Sequence, residues 1–595
     1  MLFRIRPLIS LAALCLVNFG SVNATTYYVS PVGNDLNAGL SPALSWQTTA
    51  KVNAMNLLAG DKVLFEGGKT FSGSIFLDSL DKGSAANPVT ISSYGIGRAT
   101  INAGNDVGFF ADNTAGFVLS NLNFMGAGPT VNLNHGISLY TDFPGDIKLA
   151  YVRIDNVEVS GFGDWGISIG SWNNKTGYRD VRITYASVHD NLNTGIGVFA
   201  QVPRVHEDIY LGHCQVFNNF GDPKSAINTG SGILLGCVNG AIVERSVSHD
   251  NGKNNFALGE GPVGFWAYNS SNLVFQFNEA YSNHTGSGQD GGGFDLDQDV
   301  QNSVMQYNYS HDNDGAGYLL CCAANNIGNI IRYNVSQNDG RKRGHGGIET
   351  YGNIQNADIY NNTIFLSQIT GGPPGIYIST PTTNMRLRNN VIQTTGGALL
   401  FFSRIGQTNM LIQGNCYYSS GSSFDINWNG KNYTSLDAWR KASGHEYVGS
   451  TKVGVSADPK LNNPGNGGTL NNADLLPDLT AYKTQVGSPL INAGINLNLG
   501  GVDFFGTAIP QGGAADIGAH ETAAVILKIA SAAITNQNLS LSVSGPSGTT
   551  NTIQISTNLL TWSNLTTFIN TNGTFRYSEP IGTNQTRRFY RVRQL

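Results

Sequence analysis

Charged residues are scarce in this sequence, because Asp, Glu, Lys and Arg together make up 13% of its 595 residues. The 35 basic and 40 acidic side chains give a formal net charge of −5. No broad basic surface is visible, and we therefore expect no nucleic-acid partner. The length exceeds that of one ordinary compact domain and suits a large elongated domain with an appendage.

Long apolar runs are absent after residue 24, so the sequence predicts no membrane span, which needs about 18 unbroken apolar residues. The opening residues differ from the rest. Arg4 and Arg6 precede an apolar run that ends in small residues at Ala24, which is the pattern of a secretory signal peptide. We therefore expect residues 1–24 to be removed and the mature chain to be secreted, to the periplasm, the cell surface or the medium.

Cysteine is also rare. The expected mature chain has an odd number of cysteines, which cannot all pair within one chain; they are Cys214, Cys237, Cys321, Cys322 and Cys416. Their spacing matches no zinc site, and a chain of this length does not need disulfides for stability. We interpret them as small buried residues with one or two disulfides at most.

Glycine, in contrast, is abundant with 74 residues, and asparagine is frequent as well. Both residues weaken helix interiors and suit short strands joined by tight turns. A pattern of Gly, apolar, any, apolar, any residue recurs nine times, at intervals of 24 to 37 residues, from GISLY (136–140) to GIYIS (375–379). Most copies follow an alternating strand and a polar turn, as in VRIDNVEVSG. Such a period predicts one unit of two or three strands stacked many times.

Stacked coils of short strands with Asn-rich turns resemble the right-handed parallel β-helix proteins of the pectate-lyase-like superfamily. The resemblance runs from about Thr25 to Glu521. Its opening stretch, residues 27–68, is similar to the N-terminal caps of secreted members, and AADIGAHE (514–521) is similar to a segment that often closes them. The superfamily contains lyases, hydrolases, epimerases and adhesins, so the resemblance implies a fold and leaves the activity open.

The predicted fold class is therefore all-β, a right-handed parallel β-helix in the form of a single-stranded solenoid. We predict an N-terminal cap with the first coils at residues 25–115 and the main β-helix at residues 116–524. Residues 525–595 are rich in Thr, Asn and Ser and alternate in polarity, which predicts a small C-terminal module resembling a β-sandwich.

The third and fifth residues of each repeated strand should point outward from one sheet, because the apolar second and fourth residues point into the coil. Asp295 and Asp297 then share this face, about 6.6 Å apart along the strand. Glu349 lies two coils further on in the column of Asp295, about 9.6 Å away. Aromatic residues flank the acids on both sides, namely Trp266, Tyr268, Tyr351 and Tyr377.

Acids this close together repel one another unless a shared proton, a cation or a substrate compensates, and such clusters are typical of functional sites. We predict four catalytic residues, Asp290, Asp295, Asp297 and Glu349. The predicted substrate-binding residues are Trp266, Tyr268, Tyr351, Lys342, Arg343 and His345. Lys342, Arg343 and His345 lie with Arg341 in the loop DGRKRGHGG. This loop predicts a basic rim beside the acidic floor of the cleft. Glu260 is a minor alternative acid.

Two other patterns were weighed as metal sites. The repeated His-Asp-Asn turns at 189–191, 249–251 and 311–313 are interpreted as stacked turn ladders that bond their own backbone. Asp295, Asp297 and Asp299 begin like an EF-hand loop, but Val300 and Gln306 replace its required Gly and Glu. A simpler calcium site formed by Asp295 and Asp297 stays open.

Three functions fit a cleft of acids and aromatic rings. A glycoside hydrolase would use two carboxyl groups about 5 to 9.5 Å apart. A uronate polysaccharide lyase would hold calcium on Asp295 and Asp297 and use Lys342, Arg343 or Arg341 as its base, and an epimerase would share that first step. A non-catalytic glycan-binding protein or adhesin is the third. We favour the hydrolase, and expect a polysaccharide substrate, a monomer and no obligatory cofactor, with calcium as the one candidate.

Overall fold

The structure is a computed structural model that describes residues 24–595, except for residues 174, 287–288, 323–324, 343, 370–372, 405–406, 408, 422–423, 499, 524–526, 547 and 583–586. The predicted signal peptide lies outside the described residues, apart from Ala24. Within the described part of the chain, no helix is both long and apolar enough to cross a membrane.

Three long sheets run along the molecule, and the chain visits sheets I, II and III in turn once per coil. Sheet I has 14 strands: Thr26–Val29, Lys62–Glu66, Val89–Tyr94, Phe117–Ser120, Lys148–Asp155, Gly177–Thr184, His206–Gly212, Val238–Glu244, Ser271–Gln276, Val304–Gln306, Ile330–Arg332, Asp358–Tyr360, Arg386–Arg388 and Leu411–Gln413. Sheet II has 13 strands: Thr70–Ser72, Ala99–Gly104, Leu122–Gly126, Glu158–Ser160, Ser187–His189, Gln215–Phe217, Val247–His249, Glu279–Tyr281, Tyr309–His311, Val335–Gln337, Thr363–Leu366, Val391–Thr395 and Cys416–Ser420.

Sheet III contains the repeated Gly-apolar strands. Its 14 strands are Ile75–Leu77, Phe109–Asp112, Ile137–Thr141, Ile167–Ser171, Ile196–Ala200, Ile233–Gly236, Val263–Tyr268, Gly292–Leu296, Tyr318–Leu320, Ile348–Thr350, Ile376–Ile378, Phe401–Ser403, Ile426–Trp428 and Lys431–Tyr433. All neighbouring strands of the three sheets pair in parallel except the last pair of sheet III, which forms an antiparallel hairpin. The predicted parallel β-helix is therefore confirmed.

The core fills the inside of the coils, as the alternation predicts. Ile137 and Leu139 stand in register with Ile167 and Ile169 of the next coil, and all four side chains are fully buried. Further along the same interior face, the rings of Phe265, Phe294 and Tyr318 stack on one another with centroids 4.9 and 5.1 Å apart. This stacking fixes the register of the strands that carry the predicted acids.

Buried asparagines form ladders at the bends of the coils. The Oδ1 atom of Asn308 accepts hydrogen bonds from the backbone N–H and the side-chain amide of Asn278, one coil earlier, at 3.0 and 3.1 Å. Asn191, Asn219 and Asn251 form a second ladder of the same kind at the bend that leads to sheet III. The predicted turn ladders are confirmed, but their bonds run from coil to coil. The reason is that each Asn lies inside the bend, next to the amide of the adjacent coil.

Beyond the last coil, the chain returns along the outside of sheet II. A helix at Leu436–Ser443 and a hairpin of Tyr447–Val448 with Thr451–Lys452 precede this segment. It contains two short 3-10 helices, Ala473–Asp478 and Thr480–Tyr482, whose apolar residues pack against Tyr309, Tyr333 and other rings of the solenoid. The N-terminal end has its own short helices, which are Pro42–Leu44 and Thr49–Asn53.

The C-terminal residues form two three-stranded antiparallel sheets, in agreement with the predicted β-rich module. One sheet consists of Lys528–Thr535, Asn538–Ser544 and Thr574–Pro580, and the other of Thr550–Ser556, Ser563–Ile569 and Phe589–Gln594. Their shared core is small; it contains Leu539, Leu541, Val543, Ile553 and Phe568.

Candidate active site

A cavity of about 900 Å³ opens on the outer face of sheet III. Its floor is formed by outward residues of sheet III, and its walls are the loops that lead from sheet II to sheet III. Six carboxyl groups line it, those of Asp164, Glu260, Asp290, Asp295, Asp297 and Glu349. Six large aromatic residues line it as well, namely Trp165, Trp172, Phe199, Trp266, Tyr268 and Tyr351. The cavity therefore combines acids with broad apolar ring surfaces.

The predicted column of outward residues is present in sheet III. Trp266 pairs with Asp295, which pairs with Leu319 one coil further on. Leu319 in turn pairs with Glu349, and Glu349 with Tyr377. Asp295 and Glu349 therefore lie two coils apart in one column, as the repeat predicts.

The acids are far less exposed than an open sheet face would make them. Asp295 and Glu349 are each only 4% exposed, and Asp290 and Asp297 are half-buried. The loop residues Glu260 and Gly261 and the neighbouring rings rise around them and form the cavity wall. These acids point outward from the coil, but into a recess rather than into bulk water.

Two polar atoms at the cavity floor have no hydrogen-bond partner among the described residues. They are the Oδ1 atom of Asp295 and the Nε1 atom of Trp266, both of which are buried. The two residues are direct neighbours in register on adjacent strands. Leaving such a group unpaired costs about 1–3 kcal/mol, so a bound molecule with a polar group at this point would recover that cost.

Burial also perturbs the protonation of the aspartates. It raises the pKa of Asp295 well above its usual value, and the neighbouring Asp297, Asp290 and Glu349 raise that pKa further. Burial likewise raises the pKa of Asp290 to about 6, although the nearby His345 opposes the shift. The pKa of Asp297 is raised to about 6, again mainly by burial. At neutral pH, Asp290 and Asp297 are therefore mostly ionised, and Asp295 holds its proton more tightly than an exposed aspartate does.

Hydrogen bonds hold several of these carboxyl groups in place. The Nδ1 atom of His345 lies 2.8 Å from Oε2 of Glu349, and the backbone N–H of Gly346 donates to the same oxygen at 3.2 Å. The backbone N–H of Gly261 donates to Oδ2 of Asp290 at 3.0 Å. His345, one of the predicted binding residues, therefore lies at the cavity as a partner of Glu349.

Two glycines let aromatic rings lie close to the sheet. A Cβ atom on Gly236 would stand 2.5 Å from the ring of Tyr268, its partner on the next strand. A Cβ atom on Gly197 would stand 2.3 Å from the ring of Trp165. Real Cβ contacts of this kind are essentially absent from proteins. The predicted position of Tyr268 in the cleft therefore depends on the glycine at the outward position one coil earlier.

Of the predicted basic rim, His345 lines the cavity, whereas Arg341 and Lys342 do not. The Nζ atom of Lys342 donates to the backbone carbonyls of Thr285 and Gly286 and lies 3.7 Å from a carboxylate oxygen of Asp314. Because these groups satisfy its charge and its donors, Lys342 lies outside the lining.

The other predicted rim and flanking residues divide between the cavity and its surroundings. The guanidinium of Arg341 bonds Ser367. Tyr377 packs edge-on against Phe402 and is also outside the lining, whereas Tyr351 lines the cavity and is 51% exposed. Arg343 lies outside the described residues.

Several lining residues were missed in the sequence. His135, Asp164 and Trp165 stand just before the repeated glycines at 136 and 166, in the turns that enter sheet III. Asp290 and His345 lie at comparable places before the repeated glycines of later coils. A position just before the repeated glycine could therefore have identified His135, Asp164 and Trp165 in the sequence. Trp172 follows the end of its strand and matches no repeated position.

A disulfide between the adjacent residues Cys321 and Cys322 also borders the cavity, beside Asp297. The other three cysteines of the described chain, Cys214, Cys237 and Cys416, are buried and unpaired, as interpreted from the sequence.

The calcium site considered above, on Asp295 and Asp297, stays a prediction. Among the described residues, one group of three side chains brings potential metal ligands within 4.8 Å of one another, namely Asp297, Cys321 and Cys322. Calcium takes six to eight oxygen ligands, whereas this group offers one carboxylate and two sulfurs that are joined to each other. We therefore derive no step through calcium.

Comparison with known proteins agrees with the fold. The model of the family described as "right handed beta helix region" matches residues 181–364, which is under half of the chain but includes most of the cavity. The resemblance to right-handed parallel β-helix proteins of the pectate-lyase-like superfamily is thus confirmed at the level of the fold.

One curated relative is the lacto-N-biosidase of Bifidobacterium longum subsp. longum. The chain is 25% identical to it over 444 residues, which cover 58% of this chain and 27% of the relative. The chain thus spans about a quarter of the length of the curated relative that it matches.

Several solved structures are distantly similar to the chain. The GH136 lacto-N-biosidase from Eubacterium ramulus has 17% identity and a TM-score of 0.47, covering 61% of this chain and 68% of that one. Pectate lyase Pel9A has 14% identity and a TM-score of 0.39, covering 84% and 97%. The mannuronan C-5 epimerase A-module from Azotobacter vinelandii has 14% identity and a TM-score of 0.36, covering 61% and 91%. At these values we base no functional argument on them.

Proposed function

We propose that this chain is a glycoside hydrolase that cleaves a neutral glycan in the cavity on sheet III. One observation carries the proposal: three aspartates with raised pKa values line a recess walled by aromatic rings. Glycosidic bond cleavage needs one carboxyl group that donates a proton and one carboxylate that attacks or activates water. Near pH 6, aspartates with pKa values of about 6 supply both forms.

The pKa values distinguish the roles of the three residues. General acid–base catalysis is most efficient when the pKa of the catalytic group lies near the working pH. Asp290 and Asp297, each with a pKa of about 6, meet this condition, and we call them the acid–base pair. Burial and three neighbouring acids raise the pKa of Asp295 well above its usual value, and a protonated Asp295 would donate a hydrogen bond to the bound sugar, as a neutral carboxylic acid can in an apolar site.

Glu349 and Trp266 complete the arrangement. Glu349, fixed by His345 and Gly346, adds negative charge that helps to raise the pKa of Asp295. The buried N–H of Trp266 would donate to a sugar oxygen, and its ring would pack against a sugar face. Neither residue needs to exchange a proton during the reaction.

The charges around the cavity favour a neutral substrate over a uronate. Six carboxyl groups would repel the carboxylates of a uronate chain, and a lyase would need a cation or a basic residue to offset that repulsion. Lys342 and Arg341, two of the three residues that the lyase hypothesis would use as the base, are engaged by other groups. The third, Arg343, lies outside the described residues.

The similarity to a lacto-N-biosidase suggests the first substrate to try, which is an aryl lacto-N-bioside. We further propose that the enzyme acts outside the cytoplasm, in keeping with the signal peptide predicted at residues 1–24. A neutral polysaccharide or a glycan attached to a protein would be encountered there.

The test is hydrolysis of aryl lacto-N-bioside and other neutral aryl glycosides by the full chain and by four variants. Asp290→Asn and Asp297→Asn should each lower kcat/KM by about 10²–10⁴-fold. Asp295→Asn, which retains a hydrogen-bond donor, should lower it less. Asp478→Asn, which alters an exposed aspartate in the segment outside sheet II, is the matched control. Full activity in both variants of the acid–base pair would refute the assignment.

A further inference from the structure

A row of aromatic side chains leads away from the cavity toward the N-terminal end of sheet III. Its members, in order, are Phe199, Trp172, Tyr140, Phe110 and Phe76, and we call them the aromatic ladder. Successive ring centroids lie 5.1, 6.3, 6.0 and 6.0 Å apart. Trp172 is 49% exposed and Phe76 is 40% exposed. Large rings with this much exposure on an ordered sheet are typical of a binding surface.

A second row of rings, on sheet II, shows what a purely structural ladder looks like in the same molecule. His189, Phe217, His249, Tyr281 and His311 stack with interplanar angles between 2° and 12°. Their faces cover one another, and the returning segment reaches this row, where the hydroxyl of Tyr281 donates to Asn471. These rings need no further partner.

The aromatic ladder on sheet III differs in both respects. Its interplanar angles range from 30° to 69°, so the ring faces are not closed against one another. Among the described residues, the returning segment forms an apolar cluster with rings of sheets I and II, and the ladder rings are not members of that cluster. Tilted rings with open faces can accept an apolar surface from outside the protein.

The ladder is continuous with the cavity, because Trp172 and Phe199 belong to both. Polar groups run alongside its outer part. The side-chain amide of Asn113 donates to Asp112 and Asp142 at 3.0 and 2.8 Å, and burial together with the nearby Asp142 raises the pKa of Asp112. Rings flanked by hydrogen-bonding carboxylates suit a molecule with apolar C–H faces and hydroxyl edges, and disfavour one that carries negative charge.

We propose that the aromatic ladder binds the part of a neutral glycan chain that extends beyond the cavity, so that the substrate is a long glycan and not a single disaccharide. The ladder crosses four intervals between coils of about 4.8 Å each, which adds about 19 Å of binding surface. The substrate class rests on the proposed function, but the binding itself requires only the ladder.

Binding is measured on the full chain carrying Asp297→Asn, so that the probes are not cleaved. The probes are cello-, xylo-, manno- and chito-oligosaccharides from disaccharide to octasaccharide, and binding is followed by tryptophan fluorescence and calorimetry. Affinity for at least one series should rise with chain length beyond the part that fills the cavity. Oligogalacturonides of the same lengths are the charged comparison and should gain no affinity with length.

Two ladder variants locate the effect. Phe76→Ala combined with Phe110→Ala should weaken octasaccharide binding roughly tenfold and leave disaccharide binding unchanged. Neither residue lines the cavity. Tyr140→Ala alone is a second, milder variant. The control is Tyr185→Ala, since Tyr185 is 57% exposed and stacks on His213 away from sheet III.

The possible outcomes separate this proposal from the proposed function. Affinity that does not depend on length, equal losses for short and long chains, or no binding of any probe would overturn the ladder. Long glycans that bind through the ladder but are not cleaved by the wild-type protein would contradict the hydrolase proposal and leave the ladder proposal standing. Cleavage whose rate does not depend on glycan length would contradict the ladder and leave the hydrolase proposal standing.

Discussion

Replacing Asp297 by Asn should stabilise the protein at neutral and alkaline pH while it lowers kcat/KM by about 10²–10⁴-fold. The folded state raises the pKa of Asp297 from 3.8 to about 6, mainly by burial, so it holds a proton more tightly than the unfolded chain does. A shift of about 2 units corresponds to about 3 kcal/mol. The substitution removes the charge and keeps the side-chain oxygen that accepts the N–H of Gln298 at 2.6 Å.

The sign of the effect follows from linkage. A carboxyl group with a raised folded pKa contributes stability that is fully present below its unfolded pKa and is lost as the pH rises through the folded pKa. Stability associated with Asp297 should therefore fall between about pH 4 and pH 7. The advantage of the Asn variant should grow from about 0.5 kcal/mol near pH 4 to about 3 kcal/mol near pH 8.

The assay is thermal and urea unfolding of the wild-type chain, Asp297→Asn and the exposed control Asp478→Asn, each across that pH range. The control should follow the wild type at every pH. Unfolding of a stacked solenoid need not be two-state, so the unfolding midpoints are compared at each pH before any free energy is derived. An Asn variant that is less stable than the wild type at alkaline pH, or equally shifted at all pH values, would refute the account of buried, repelling carboxylates.

Three further outcomes follow from the same geometry. Activity should follow a bell-shaped pH profile centred near pH 6, because the acid–base pair needs one proton between two groups of similar pKa; a flat profile from about pH 4 to pH 8 would contradict it. Trp266→Phe should weaken substrate binding roughly two- to tenfold without loss of stability, since it deletes an N–H that has no partner among the described residues; unchanged affinity would place the indole outside the binding surface. Gly236→Ala should displace the ring of Tyr268, which a Cβ atom would meet at 2.5 Å, and lower affinity, whereas Gly513→Ala, where a Cβ atom meets nothing within 4 Å, should not.

The repeat predicted the fold and the floor of the cavity because both depend on strand periodicity alone. A pattern of period two decides which residues point outward, and the repeated glycine aligns one coil with the next. The column of Trp266, Asp295 and Glu349 could therefore be read from the sequence and is present in the structure.

The walls of the cavity were not predictable in the same way, because they come from loops of unequal length. The depth at which Asp295 and Glu349 lie depends on how the loop with Glu260 rises beside them. The direction of Lys342 depends on the carbonyl groups of another loop that happen to be within reach. Neither contact produces a repeat in the sequence from which it could be predicted.

The most direct test of the hydrolase proposal is to follow two products in one reaction. The purified chain is incubated with neutral and uronic polysaccharides, with and without a chelator, while reducing ends and the ultraviolet absorbance of unsaturated ends are both recorded. We predict reducing ends from a neutral glycan, no absorbance from unsaturated ends, and no effect of the chelator. Absorbance that appears with a uronic polysaccharide and disappears on chelation would contradict the account and assign the aspartates to a metal-dependent lyase.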